Sequence, residues 1–230
     1  MNAEGWPEII RVEHGPHFGR PFCVVSYYTE GNGYELEIKK LKASCLSFQL
    51  DYFFEGIKSL GSWMLNIHYR PQFLIKAMMA QRRDLVWIDA DGVVKQYPAL
   101  FEALARRADF EIAAHYLKGR ELLGGTMYVP NRPKTIELLE AWAEVDARRP
   151  QLKEQLNLQG LLAARSDFRL LHLPGEYTKI FDLMAKTCGP AVIEHHQASR
   201  RLRKRPQLTT ANQRIMLQKA GRIRYKTRPR

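Results

Sequence analysis

Short runs of consecutive apolar residues, separated by longer stretches of helical composition, constrain this chain's fold more than any other feature. Residues 22–28 and 85–88 run without polar alternation, the pattern of strands covered on both faces. Between and beyond them the composition predicts helices over 34–50, 71–81, 98–107, 133–149 and 153–164, with Pro71 near the start of the second. Further strands are predicted at 51–57, 110–116, 122–129 and 168–173. Strands and helices that alternate in this way give an α/β fold, a mixed central sheet flanked by helices. In 133–149, Ile136, Leu139, Trp142 and Val145 recur every three residues and mark a buried helix face. Residues 1–20 show no clear pattern, 207–220 has helical composition in basic surroundings, and no internal repeat is present.

With 230 residues, 45% of them apolar, the chain has material for a real core, which excludes a disordered polypeptide. No apolar stretch reaches the length of a membrane-spanning helix and the N-terminus lacks a signal pattern, so a soluble cytoplasmic protein is expected. Cys23, Cys45 and Cys188 have neither disulfide nor zinc spacing and are expected to be small buried apolar residues. The net charge of +12 is confined to one end: residues 200–230 hold twelve Lys or Arg and no acid, leaving 24 bases against 24 acids before them. This divides the chain into a neutral body, 1–199, and a basic extension, 200–230. A polyanionic partner and a merely solvated basic terminus both fit that asymmetry.

The chemistry concentrates where the apolar run 85–88 ends in Asp89-Ala90-Asp91-Gly92. Alternate side chains at a strand end project to one side, so the two carboxylates are expected to converge. Converged carboxylates repel unless a cation joins them, and an all-oxygen pair favours Mg²⁺ or Mn²⁺. The segment 89–94 resembles the first motif of haloacid-dehalogenase phosphatases. That family also needs a downstream acidic pair, whereas this chain has no Asp-Asp, and Asp167 and Asp182 stand in unsuitable contexts.

The segment around Asp89, together with 121–128, 173–177 and 192–200, resembles the GT-A nucleotide-diphospho-sugar transferases, especially small phage and bacterial members, over roughly residues 21–200. The resemblance implies a GT-A fold and a nucleotide-sugar donor, with UDP the commonest carrier. It assigns Asp89, Ala90 and Asp91 to the metal and donor diphosphate, and His195 to a third metal ligand, with His196 as the competing choice. A histidine beside two carboxylates shifts preference from Mg²⁺ toward Mn²⁺. The resemblance further places Val25, Ser26 and Tyr27 against the nucleotide, Arg70 facing the donor phosphates, and Gly124, Gly125 and Thr126 beneath the sugar and acceptor. Glu154 and Gln155 fall on the helix beside the donor sugar, as catalytic candidates. Trp142-Ala143-Glu144-Val145-Asp146 does not supply a dependable inverting base, which leans toward a retaining reaction.

The acceptor is read from the extension. Arg200, Arg201, Arg203, Lys204 and Arg205 follow His195 closely, and basic residues continue to Arg230 with Tyr225 among them. A stripe of that length suits a nucleic-acid backbone. The expectation is a phage enzyme that glycosylates 5-hydroxymethylcytosine in DNA. A surface glycan or lipopolysaccharide acceptor is the alternative, and a non-catalytic nucleic-acid-binding protein is a third reading.

Overall fold

The computed structural model describes residues 6–202. In chain order the elements are β1 (Ile9–His14), β2 (Phe22–Thr29), α1 (Tyr34–Ser47), β3 (Tyr52–Ile57), α2 (Trp63–Ile67), α3 (Arg70–Gln81), β4 (Asp84–Ile88), β5 (Gly92–Val94), α4 (Ala99–Leu104), β6 (Ile112–Leu117), β7 (Glu121–Val129), α5 (Pro133–Arg148), α6 (Glu154–Ala164), β8 (Leu170–His172), a 3₁₀ turn (Gly175–Thr178), β9 (Lys179–Ile180), β10 (Ile193–His195) and α7 (Ala198–Leu202).

Seven strands form one sheet in the order β1-β3-β2-β4-β7-β6-β8. All eight residues of β2 are buried, so it needs cover on both faces and parallel neighbours on both edges, which β3 and β4 supply. One face packs Val25, Tyr27 and Trp87 against Phe73 of α3, Trp142 of α5 and Leu158 of α6. The other packs Val24, Val86 and Tyr128 against Leu41 of α1 and Phe101 of α4. From β2 the chain passes through α1 to β3 on one side, then returns through α2 and α3 to β4 on the other. Connections that diverge in this way open a crevice at the strands' C-terminal ends. On the far side of β4 the sheet reverses, since β7 runs antiparallel to both β4 and β6.

A second sheet, β5-β10-β9, joins the segment just after β4 to residues 193–195. Its strands of two and three residues are too short for any periodic signal. The buried positions of α5 are Thr135, Leu138, Leu139, Trp142, Ala143 and Asp146, not the predicted row spaced by three. A spacing of three falls short of the 3.6-residue turn and winds around the helix, leaving Ile136 and Val145 at the core margin. Cys23 and Cys45 are buried as expected, whereas Cys188 is half-buried. The division at residue 199 falls inside α7, and the segment 207–220 lies outside the described residues. Among those described, no helix is long and apolar enough to cross a membrane.

Candidate active site

At the C-terminal end of β4 the chain reverses in a tight turn. The Gly92 N–H donates to the Asp89 carbonyl at 2.8 Å and the Asp89 N–H to the Gly125 carbonyl at 2.8 Å. The two carboxylates therefore meet because the backbone folds back, not because strand side chains alternate. Gly92 is required there: a Cβ would lie 2.4 Å from Ile88 Cγ2.

The turn leads into β5, whose pairing with β10 sets Gly92 opposite His195. His195 is 1% exposed. Its Nε2 lies 2.8 Å from Thr126 Oγ1, its Nδ1 lies 3.6 Å from Asp91 Oδ1, and that Nδ1 has no hydrogen-bond partner. Asp89, Asp91 and His195 each offer one ligand atom, all within 4.8 Å of one another. His196 turns outward, its Nε2 3.4 Å from Glu194 and its ring stacked on Phe181. Of the two histidines, only His195 joins the carboxylates.

Arg70 ties this turn to the helices beneath. Its Nη2 donates to Asp89 Oδ1 at 2.8 Å, its Nη1 donates to the Gly124 carbonyl at 2.8 Å and lies 2.9 Å from Glu154 Oε1, and its guanidinium covers the Trp87 ring at 4.6 Å. Trp87 Nε1 also donates to Asp89 Oδ1, at 3.0 Å. Gly124 permits the approach, because a Cβ there would lie 2.5 Å from Arg70 Nη1. Burial raises the Asp89 carboxyl above its ordinary range, against the pull of Arg70. Burial also opposes ionisation of Asp91, but the His195 ring and the Ala198 N–H, 2.6 Å from Asp91 Oδ2, outweigh it and hold that carboxyl low. Glu154 is raised by burial despite Arg70.

Several sequence expectations change here. Arg70 is 4% exposed with both terminal nitrogens on protein acceptors, so it orients Asp89 where a phosphate contact was expected. Glu154, 3% exposed, is withdrawn into Arg70; Gln155 is half-buried beside Gly124, its Nε2 donating to Glu121 Oε1 at 3.0 Å. Val25 is core, Ser26 is fully buried, and the Tyr27 hydroxyl donates to the Asn66 carbonyl at 2.7 Å. Pairing with β3 carries β2 on to Thr29, which moves the strand's rim past these three residues. Ala90 packs in the core, and Thr126 is fully buried with its Oγ1 against His195. A Cβ on Gly125 would meet the His195 ring at 3.1–3.3 Å, so that glycine serves the histidine. Arg200 and Arg201 lie in α7, paired with Asp182 at 2.5 Å and with the buried Glu37 at 2.6 Å. Arg203, Lys204 and Arg205 lie outside the described residues.

Sequence reasoning missed the roles of Trp87, Glu121 and the Ala198 N–H. The Trp87/Asp89 spacing of two was a readable signal, since alternate strand residues share a face. Glu121 and Gln155 stand 34 residues apart, and nothing local links them.

No family model and no curated protein matches the chain by sequence. Among solved structures, it is similar to a glycosyltransferase involved in glycosylation of the major capsid of PBCV-1, with TM-score 0.64 and 13% identity over 85% of this chain and 98% of that one. It is also similar to the bifunctional glycosyltransferase WbbM, with TM-score 0.52 and 12% identity over 80% and 47%. A third similar structure is GlyE of Streptococcus pneumoniae TIGR4, with TM-score 0.50 and 13% identity over 75% and 53%. The chain thus spans nearly all of the first and about half the length of the other two. What it shares with them is the path of the backbone, and the chain therefore adopts the GT-A glycosyltransferase fold.

Proposed function

We propose that the chain is a glycosyltransferase that moves a sugar from a nucleotide-sugar, with UDP as the carrier, using Mn²⁺ or Mg²⁺. The observation that carries this reading is the convergence of Asp89, Asp91 and His195 at the crevice where β2 and β4 end. The donor set fits a divalent cation, because a fully buried imidazole nitrogen without a partner faces two carboxylates. With a cation on Nδ1, the ring's proton would belong on Nε2 and be donated to Thr126 Oγ1. Asp89, Asp91 and His195 would hold such a cation, which would supply charge neutralisation to the donor diphosphate.

The chain's own residues do the remaining work. Arg70 and Trp87 hold Asp89 in one orientation, and the Ala198 N–H does the same for Asp91. With Glu154 engaged by Arg70, the neutral amide of Gln155 is what the pair offers beside Gly124. An amide does not remove the acceptor's proton, which supports retention. In that reaction the sugar–phosphate bond breaks, the departing phosphate oxygen takes the acceptor proton, and the new bond forms on the same face.

For the acceptor we propose 5-hydroxymethylcytosine in phage DNA, in the cytoplasm of an infected cell; the support is the charge asymmetry, with every excess base after residue 199. A glycan or glycoprotein acceptor is the second reading, favoured by likeness to a protein involved in capsid glycosylation. The test is mass spectrometry of nucleosides from hydroxymethylcytosine DNA incubated with the protein, Mn²⁺ and a panel of nucleotide-sugars. A hexose or pentose increment supports both donor and acceptor. Metal-dependent release of UDP without an increment keeps the transferase and removes DNA. Neither product defeats the enzymatic reading.

A further inference from the structure

Glu121 opens β7, and its carboxylate accepts the hydrogen bond from Gln155 Nε2 at 3.0 Å. A carboxylate only accepts, so it selects the NH₂ end of a facing amide and turns the carbonyl oxygen away. That oxygen, Gln155 Oε1, lies 3.5 Å from where a Gly124 Cβ would stand, a point itself 2.5 Å from the Arg70 nitrogen of the Asp89 network. The residue before Gln155 is held at both its side chain and its carbonyl. Glu154 beside it is paired with Arg70, and the Glu154 carbonyl accepts from Trp142 Nε1 at 2.8 Å. A half-turn of the amide would exchange an acceptor for a donor beside Gly124.

We propose that Glu121 is a positioning residue: it locks the Gln155 amide with its carbonyl oxygen toward the donor sugar. This rests on the transferase reading above. An oxygen lone pair in that place stabilises positive charge developing on the sugar as the leaving group departs, whereas an NH₂ there opposes it. Glu121 is half-buried at a strand end, so replacing it leaves the core intact.

The test is Glu121→Gln, isosteric but able to donate or accept, so that it no longer selects one amide orientation. Two readouts are taken: Mn²⁺-dependent release of UDP from a panel of UDP-sugars, and the side-chain amide resonances of Gln155, assigned by their loss in Gln155→Leu. The expected result is a fall in kcat of about twofold, the share of amides turned the wrong way, with KM and Tm unchanged, shifted Gln155 amide protons, and no effect of Glu121→Gln on kcat once Gln155 is Leu. Wild-type kcat in Glu121→Gln, or unmoved Gln155 resonances, overturns the proposal. If Gln155→Leu itself turns over at the wild-type rate, the reading of the crevice falls instead. An additive loss in the double variant assigns Glu121 a role unconnected with the amide.

Discussion

Asp146 is 2% exposed, and burial pushes its carboxyl up to about 8, helped by Glu154 and opposed by Asn157 and Arg70. Its Oδ1 accepts from Asn157 Nδ2 at 2.8 Å, while its Oδ2 and Asn157 Oδ1 are both buried without partners. A proton on Oδ2, or an amide in its place, gives that pair the donor it lacks. The folded value lies about four pH units above an ordinary carboxyl, and at about 1.4 kcal/mol per unit the linkage reaches about 5 kcal/mol. Relaxation of the buried site reduces this to roughly 2–4 kcal/mol. The folded chain binds the proton more tightly than the unfolded one. The group's contribution to stability is therefore complete below pH 4, declines as pH rises, and is lost above pH 8. Asp146→Asn does not titrate and supplies the missing donor. Urea unfolding of both chains from pH 4.5 to 8.5 at constant ionic strength should show the wild type losing roughly 2–4 kcal/mol relative to the variant. Taking the difference cancels groups that do not interact with Asp146, Asp89 among them. Parallel stability curves, or a variant weakened equally at every pH, would refute the reasoning.

Four further outcomes are expected. Arg70→Met leaves Glu154 buried without its partner and should cost about 3–5 kcal/mol in urea unfolding; Arg70→Lys should not rescue it, since one ammonium cannot reach Asp89, Glu154 and the Gly124 carbonyl together. Asp91→Asn keeps an oxygen for the Ala198 N–H but loses the charge, so Mn²⁺ affinity measured with UDP should fall tenfold or more while Tm holds. His195→Ala should weaken Mn²⁺ binding and His196→Ala should not, by the same titration. A chain ended after Leu202 keeps α7 docked on α1 and should retain UDP release but lose transfer to DNA; wild-type binding to duplex DNA should weaken with salt, with a slope of about 0.9 per phosphate neutralised.

The parts of the fold that announce themselves are those whose burial is local. The uninterrupted run of β2, the run of β4 ending in Asp89, and the helices over 34–47 and 133–148 follow from residues a turn or a strand apart. Asp89 and Asp91 stand out as a local pair, although a turn and not strand alternation brings them together. What was not legible depends on partners distant in sequence. Arg70 is an ordinary helix-start arginine until Asp89, Gly124 and Glu154 close around it. Arg200 and Arg201 read as free charge until Asp182 and Glu37 face them. The stretch of three-residue spacings in α5 misled because an evenly spaced row is not a helix face, and its polar members Thr135 and Asp146 face inward.

The contact between Asp91 and Ala198 joins residues 107 apart in the chain. As the protein emerges from the ribosome, both carboxylates are made long before the imidazole that completes their group. The imidazole reaches the carboxylates only when β10 pairs with β5, a closure that carries the entropy of a long loop. On the proposed reading, cation affinity should therefore appear only once residues 193–198 have emerged. A fragment that stops before residue 193 would hold the large sheet's strands and both aspartates, yet bind the ion poorly.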